Sequence, residues 1–145
     1  ERGIEMSITA MALIGLVLWT VILSLIMIGK RFTLIFGGDK EVNTFSPEGK
    51  DIGEFGLRVT RAHANSLEVL PLAAAIMLLA IATGNTAITD SLACIYLYCR
   101  IAQSVVHLIS TSKMMVLIRA TFFTVQIVFL VIWSYDLWKA ASATQ

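Results

Sequence analysis

Charge is scarce in this chain. Asp, Glu, Lys and Arg make up 14% of the 145 residues, against 57% apolar. The net charge is only +1 and no run of Lys or Arg occurs, so nucleic-acid binding has no electrostatic footprint here. Cysteine is equally sparse. Cys94 and Cys99 lie five apart, which on one helix puts their Cα atoms roughly 8 Å apart on different faces, too far for an ordinary disulfide. Both read as small apolar residues. No Cys/His group has metal-ligand spacing, so no metal site is expected. Internal repeats and low-complexity tracts are absent. A chain of 145 residues has room for one domain, with no separate soluble domain beside membrane segments.

What the chain has in quantity is long apolar runs, and its mean hydropathy is +0.81. A helix crossing the ~30 Å hydrocarbon core needs about 20 mostly apolar residues. Four such segments are expected, over 6–29, 54–83, 91–110 and 115–138. The first carries no charge until Lys30 and Arg31, which are expected to end it. It is too long for a signal-peptide core and more spans follow it. A polar loop over 37–53 contains the Ser46-Pro47 turn signal. The second span is polar in its first half and apolar from Val69 to Thr83, so its polar half must face protein or water rather than lipid. Pro71 should kink it, and Gly84 is a C-cap candidate. Trp133, Tyr135, Trp138 and Lys139 read as an interfacial anchor at the end of span four. The expected fold class is an all-α membrane protein, a four-transmembrane-helix bundle.

Lys30, Arg31, Lys40 and Lys50 fall in loop one and Lys113 in loop three, while loop two has no Lys or Arg. Loops one and three are therefore expected on the cytoplasmic side.

Against this background four charges inside the spans need an explanation: Arg61, Glu68, Arg100 and Arg119. Each costs roughly 2.5–3.5 kcal/mol or more at the bilayer centre. At 1.5 Å per residue, Glu68 and Arg100 lie about 16 Å deep from the cytoplasmic side, Arg119 about 10 Å, and Arg61 and His107 about 6 Å. Three helices thus bring charge to the same half of the bilayer. Arg58, Arg61, Asn65 and Glu68 share one helix face, as do Arg100, Gln103, Ser104 and His107. Two readings fit Glu68 and Arg100: a structural ion pair joining spans two and three, or part of a ligand site. The pair alone leaves Arg61 and Arg119 unbalanced, which favours an anionic ligand held by Arg forks. Two carboxylates, one ammonium for Glu68 and polar amides outline glutathione. A dicarboxylate or a phosphate fits the charges equally well.

The stretch Arg61-Ala62-His63-Ala64-Asn65-Ser66-Leu67-Glu68, followed by Leu70-Pro71, resembles the signature of the MAPEG family, the membrane-associated proteins of eicosanoid and glutathione metabolism. Arg100-Ile101-Ala102 in span three is similar to a second family motif. Arg119-Ala120 followed by Phe122-Phe123 in span four is similar to a third. The resemblance covers nearly the whole chain, most securely residues 55–126, and the motifs gain their weight from standing together on the right helices. It implies a homotrimer with glutathione bound between subunits near the cytoplasmic face. By position, Arg61, Asn65, Glu68 and Arg100 resemble glutathione-holding residues, with Arg58, Gln103 and His107 added from the polar stripes. Arg119 resembles the catalytic Arg that stabilises the thiolate. Departures from the specialised eicosanoid-forming branches fall at Gln103, His107, Ala120 and Phe123, so substrate specificity does not transfer. Two roles fit His107: a hydrogen bond to a glutathione carboxylate, or a cap on the end of span three. His63 has no assigned chemistry and is expected to face a helix neighbour or headgroups.

The resemblance implies a glutathione transferase acting on a lipophilic electrophile, with reduction of lipid hydroperoxides as a side activity. The alternatives are a non-catalytic lipid-binding member of the same fold and, less favoured, a small organic-anion transporter, against which the lack of an inverted repeat counts. The expected partners are glutathione, a lipophilic electrophile or hydroperoxide, membrane lipid and two further copies of the chain, without nucleic acid. A bacterial inner membrane is favoured over the endoplasmic reticulum, because no reticulum retention signal shows.

Overall fold

In the computed structural model, which describes residues 6–143, the chain forms four α-helices: α1 (Ile8–Phe36), α2 (Gly53–Ala82), α3 (Thr86–Ile109) and α4 (Lys113–Ser142). All four are long and apolar enough to cross a membrane. Among the described residues there is no strand. Serine hydroxyls start two of the helices. Ser7 Oγ accepts the Ala10 N–H at 3.2 Å and Ser112 Oγ accepts the Met115 N–H at 3.4 Å, satisfying donors that have no partner inside the helix.

Three boundaries differ from expectation by four residues or more, one of them the end of α4, at Ser142 rather than 138. Lys30 and Arg31 do not end α1, which runs on to Phe36. They end the apolar stretch, but both are good helix formers, and the helix persists to the glycine pair Gly37-Gly38. The turn between α2 and α3 is also shorter than expected, so α3 begins at Thr86 rather than near residue 91. Gly84, at φ +70°, reverses the chain within three residues. Its N–H meets Ile81 O at 3.2 Å and the Asn85 N–H meets Ala80 O at 2.8 Å, the paired bonds of a Schellman ending. The first turn of α3 is then held from outside, because Thr9 of α1 donates to Asp90 through both its N–H (2.8 Å) and its hydroxyl (2.6 Å), and shares a 2.6 Å bond with Thr89. α2 is helical on both sides of Pro71 without interruption.

α2 and α3 form the middle of the bundle. α1 packs on both, while α4 packs chiefly on α3 and less on α2. Alanines from three helices, Ala12, Ala73 and Ala93, are buried in the core. Small residues let membrane helices meet closely where dispersion, not water exclusion, drives association. Gly15 shows the same device, since a Cβ there would stand 2.6 Å from Leu97 Cδ2. Trp133 corrects the anchor reading. It is fully buried, its ring 5.6 Å from that of Tyr96 and 6.2 Å from that of Phe129. Gln126, Leu130, Trp133 and Leu137 are the buried residues of α4, and their four-three-four spacing makes one helix face. Tyr135 and Trp138 remain on the outer surface.

The loop between α1 and α2 is organised around Phe45, whose ring receives the Arg31 guanidinium at 5.7 Å and the Lys40 ammonium at 5.2 Å. Lys40 also pairs with Asp51. The Lys40 ammonium, then the Ser46 N–H, hold the Asp51 carboxyl below its ordinary value of 3.8. The depressed folded-state value means this tether stabilises the loop above pH 3.8 and is lost as pH falls through the lower folded value. Gly49 packs under α2 at φ +71°, where a Cβ would fall on the Thr60 side chain. Gly49→Ala is therefore expected to destabilise by about 1–2 kcal/mol from backbone handedness alone. Gly29→Ala, at a helical position with open space around it, should stabilise by about 0.5–1 kcal/mol. Thermal unfolding in detergent reads both, and a midpoint unchanged in Gly49→Ala contradicts the loop packing.

Candidate functional site

The polar half of α2 presents three of the expected residues at different depths of cover. Arg61 and Glu68 are exposed on the single chain and Asn65 is half-buried. α3 brings its own stripe inward: Arg100, Gln103 and Ser104 are 2%, 4% and 3% exposed. The two helices are stitched at Asn65. Its Oδ1 accepts Arg100 Nη1 at 2.8 Å and Gln103 Nε2 at 3.1 Å.

α4 closes the third side. Asn65, Gln103, His107, Val116, Arg119, Ala120 and Phe123 line an open groove of about 290 Å³. Four of the expected site residues, from three helices, thus meet in one place. His107 lies within electrostatic reach of both Arg119 and Arg61, so two guanidinium charges act on this end of the bundle. Arg100 lies behind the wall rather than on it.

The Glu68–Arg100 ion pair does not form. Among the described residues the ion pairs are Lys40–Asp51 and Arg58–Glu54. Glu68 acts on Arg100 through its field, and among the described residues no acidic group pairs with Arg119. Arg58 does not line the groove; its Nε donates to Leu108 O at 2.9 Å and its Nη1 lies 3.8 Å from Glu54. It thereby caps one of the last carbonyls of α3, a role suited to a cation at a helix C-terminus. His63 faces a neighbour, as expected, with Nε2 2.8 Å from Ser24 Oγ of α1.

Two contributors escaped the sequence reading. Gln126 of α4 is fully buried and donates from Nε2 to Gln103 Oε1 at 2.8 Å and to Phe122 O at 2.9 Å. Its signal was available: a lone amide on an apolar helix, in register with Leu130 and Trp133. The other is α1, which carries no charge before Lys30 but supplies Thr20, 2.9 Å from Ser66 Oγ. Thr20 and Ser66 border a cavity of about 10 Å³ behind Arg100, about the room one water needs. Arg100 and Tyr96 both line that cavity and interact with each other there, although neither Arg100 Nη2 nor Tyr96 Oη makes a hydrogen bond of ordinary geometry within the protein.

Fold and site together define a four-span integral membrane protein with a cationic, amide-lined groove set into one end of its bundle. The chain belongs to the MAPEG family, whose family model matches it over residues 9–136. No curated protein and no solved structure matches it.

Proposed function

We propose that this protein is a glutathione-dependent membrane transferase that activates the glutathione thiol for attack on lipophilic electrophiles. The observation that carries the reading is the groove itself, with Arg119 facing Asn65, Gln103 and His107 and having no acidic partner among the described residues. A guanidinium free of ion pairing lowers the pKa of a nearby thiol and stabilises the thiolate. Arg61, Asn65 and Glu68 hold the carboxylates and the ammonium, Arg100 orients Asn65 from behind the wall, and Gln103 and His107 stand on the wall, with Arg58 beyond it. The thiol proton leaves to water. The sulfur lone pair forms the new C–S bond, and the leaving group departs with its bonding electrons. With a lipid hydroperoxide instead, two glutathione thiols reduce the peroxide to alcohol and water and become the disulfide.

The co-substrate's chemistry is supported by a second groove. On the outer side of α4, Leu117, Thr121, Val125, Val128 and Phe129 line an apolar groove of about 470 Å³ that shares Ala120 with the polar one. A polar thiol donor and an apolar electrophile then meet across one residue. Membrane lipid gives the electrophile its route. Arg61 and Glu68, exposed on a single chain inside a membrane segment, favour a homotrimer whose neighbouring subunits cover them, since such charges are costly against lipid. On this reading the groove faces the cytoplasm, as the Lys and Arg bias of the loops favours.

Incubating the detergent-purified protein with glutathione and an activated aryl chloride, and following conjugate absorbance, tests this reading. Enzyme-dependent conjugation is expected, and its absence with glutathione bound favours the non-catalytic lipid-binding alternative. Glu68→Gln is expected to weaken glutathione binding about 10-fold or more, as loss of a charged hydrogen bond does, or to loosen the trimer. Normal affinity together with normal assembly in that variant counts against the site.

A further inference from the structure

We propose that Gln126 is a positioning residue that locks the Gln103 amide, so that Gln103 and Arg100 together fix the direction of the Asn65 amide and make the α2 wall of the groove a hydrogen-bond donor that selects a carboxylate or carbonyl oxygen on the ligand. This deepens the glutathione reading and rests on it for the identity of the ligand, though not for the relay itself.

The direction follows from groups that have no choice. A guanidinium only donates, so the Asn65 atom 2.8 Å from Arg100 Nη1 must be the oxygen. Gln103 approaches that same oxygen at 3.1 Å and must present Nε2 to it. Its remaining amide atom is then Oε1, an acceptor, and only a donor satisfies it. Gln126 Nε2 is that donor, at 2.8 Å. The second hydrogen of the same nitrogen goes to Phe122 O at 2.9 Å, and a backbone carbonyl only accepts. Gln126 cannot flip without facing both acceptors with its own oxygen. The relay is therefore pinned at one end by Arg100 and at the other by the α4 backbone.

Burial keeps it pinned. Arg100, Gln103 and Gln126 are 2%, 4% and 0% exposed, so bulk water does not compete for these bonds, and buried polar groups keep the partners they have. Gln126 Oε1 is itself buried without a partner, so both of its hydrogen bonds come from its donors. With Oδ1 of Asn65 fully used, Nδ2 remains for the groove that Asn65 lines. That nitrogen accepts no bond, so an ammonium at this position is rejected. The ligand's ammonium then belongs near Glu68, and an oxygen of the ligand belongs at Asn65.

Two substitutions separate positioning from packing. Gln126→Met keeps length and volume but removes the donors, releasing Gln103 to turn. Glutathione binding should weaken about 10-fold, the cost of one buried hydrogen bond. Gln126→Glu can donate to Gln103 only while its carboxyl is protonated. Its affinity should approach the wild-type value at low pH and fall as the carboxyl ionises, in excess of any change in wild type or Gln126→Met over the same range. A merely structural role for Gln126 predicts no such extra pH dependence. Calorimetry of glutathione binding reads all three proteins. Wild-type affinity in Gln126→Met, or no extra pH dependence in Gln126→Glu, overturns the proposal. A ligand-free readout keeps the relay testable on its own. Side-chain amide NMR of the detergent-solubilised protein should show the Gln103 NH2 exchanging slowly with water in wild type and several-fold faster in Gln126→Met. Equal rates overturn the relay even if glutathione binds, whereas a protected Gln103 with no glutathione binding overturns only the proposed ligand.

Discussion

Arg119→Ala is expected to lower the conjugation rate by about 100-fold at neutral pH, the scale seen when one charge-stabilising donor is removed from an active site. Glutathione binding itself should stay largely intact. Arg119 is half-buried and lines the groove, and no acidic group pairs with it among the described residues. Its charge is therefore available to a developing thiolate. Removing it should return the bound thiol toward its free pKa of ~8.5. Ultraviolet thiolate absorbance followed through a pH titration reads that shift directly. A titration unchanged from wild type removes Arg119 from its role, whatever the rate does. Because Arg119 stands on the outer helix rather than in the α2–α3 core, the fold should survive the change.

Arg100→Met should act on binding rather than on the thiol. Loss of the charged hydrogen bond to Asn65 removes about 1.5–3 kcal/mol, which corresponds to roughly 10- to 150-fold in affinity. Asn65 then keeps only Gln103 on its oxygen and loses the group that dictates its orientation. Stability should move the other way or not at all. A cation 2% exposed at membrane depth is expensive to keep, and an unbranched apolar side chain of similar length removes that cost. Weakened glutathione binding with an unchanged or raised thermal midpoint is the expected pair of results. An unchanged dissociation constant contradicts the part given to Arg100.

The span count, the loop positions and the convergence of polar residues from α2, α3 and α4 were legible in the sequence, because charge inside an apolar run is a strong signal in lipid. Which face of each helix looks inward was much less so. Apart from Arg119, Gln126 and its ends, α4 is apolar on both sides, since one side meets lipid and the other meets α3, and hydropathy cannot tell them apart. That is why Trp133 read as an anchor when it stacks on Tyr96, and why Gln126 was passed over. The Glu68–Arg100 pairing was suggested by equal depth. Depth fixes height in the bilayer but not direction around the helix, and the two residues point to different surroundings, one exposed and one enclosed. The hydroxyls of α1 were silent for a related reason. Thr20 and Ser24 carry no charge, and their bonds to Ser66 and His63 appear only once α1 is docked. Helix ends failed where tertiary bonds, such as those from Thr9 to Thr89 and Asp90, extend a helix beyond its apolar stretch.

The central claim is that this groove binds glutathione and ionises its thiol. The most direct measurement is the ultraviolet thiolate absorbance of glutathione bound to the detergent-purified wild-type protein as pH is raised. The account predicts saturable binding with a thiol pKa well below the free value of ~8.5. No binding at millimolar glutathione, or a bound thiol that titrates at its free value, contradicts it.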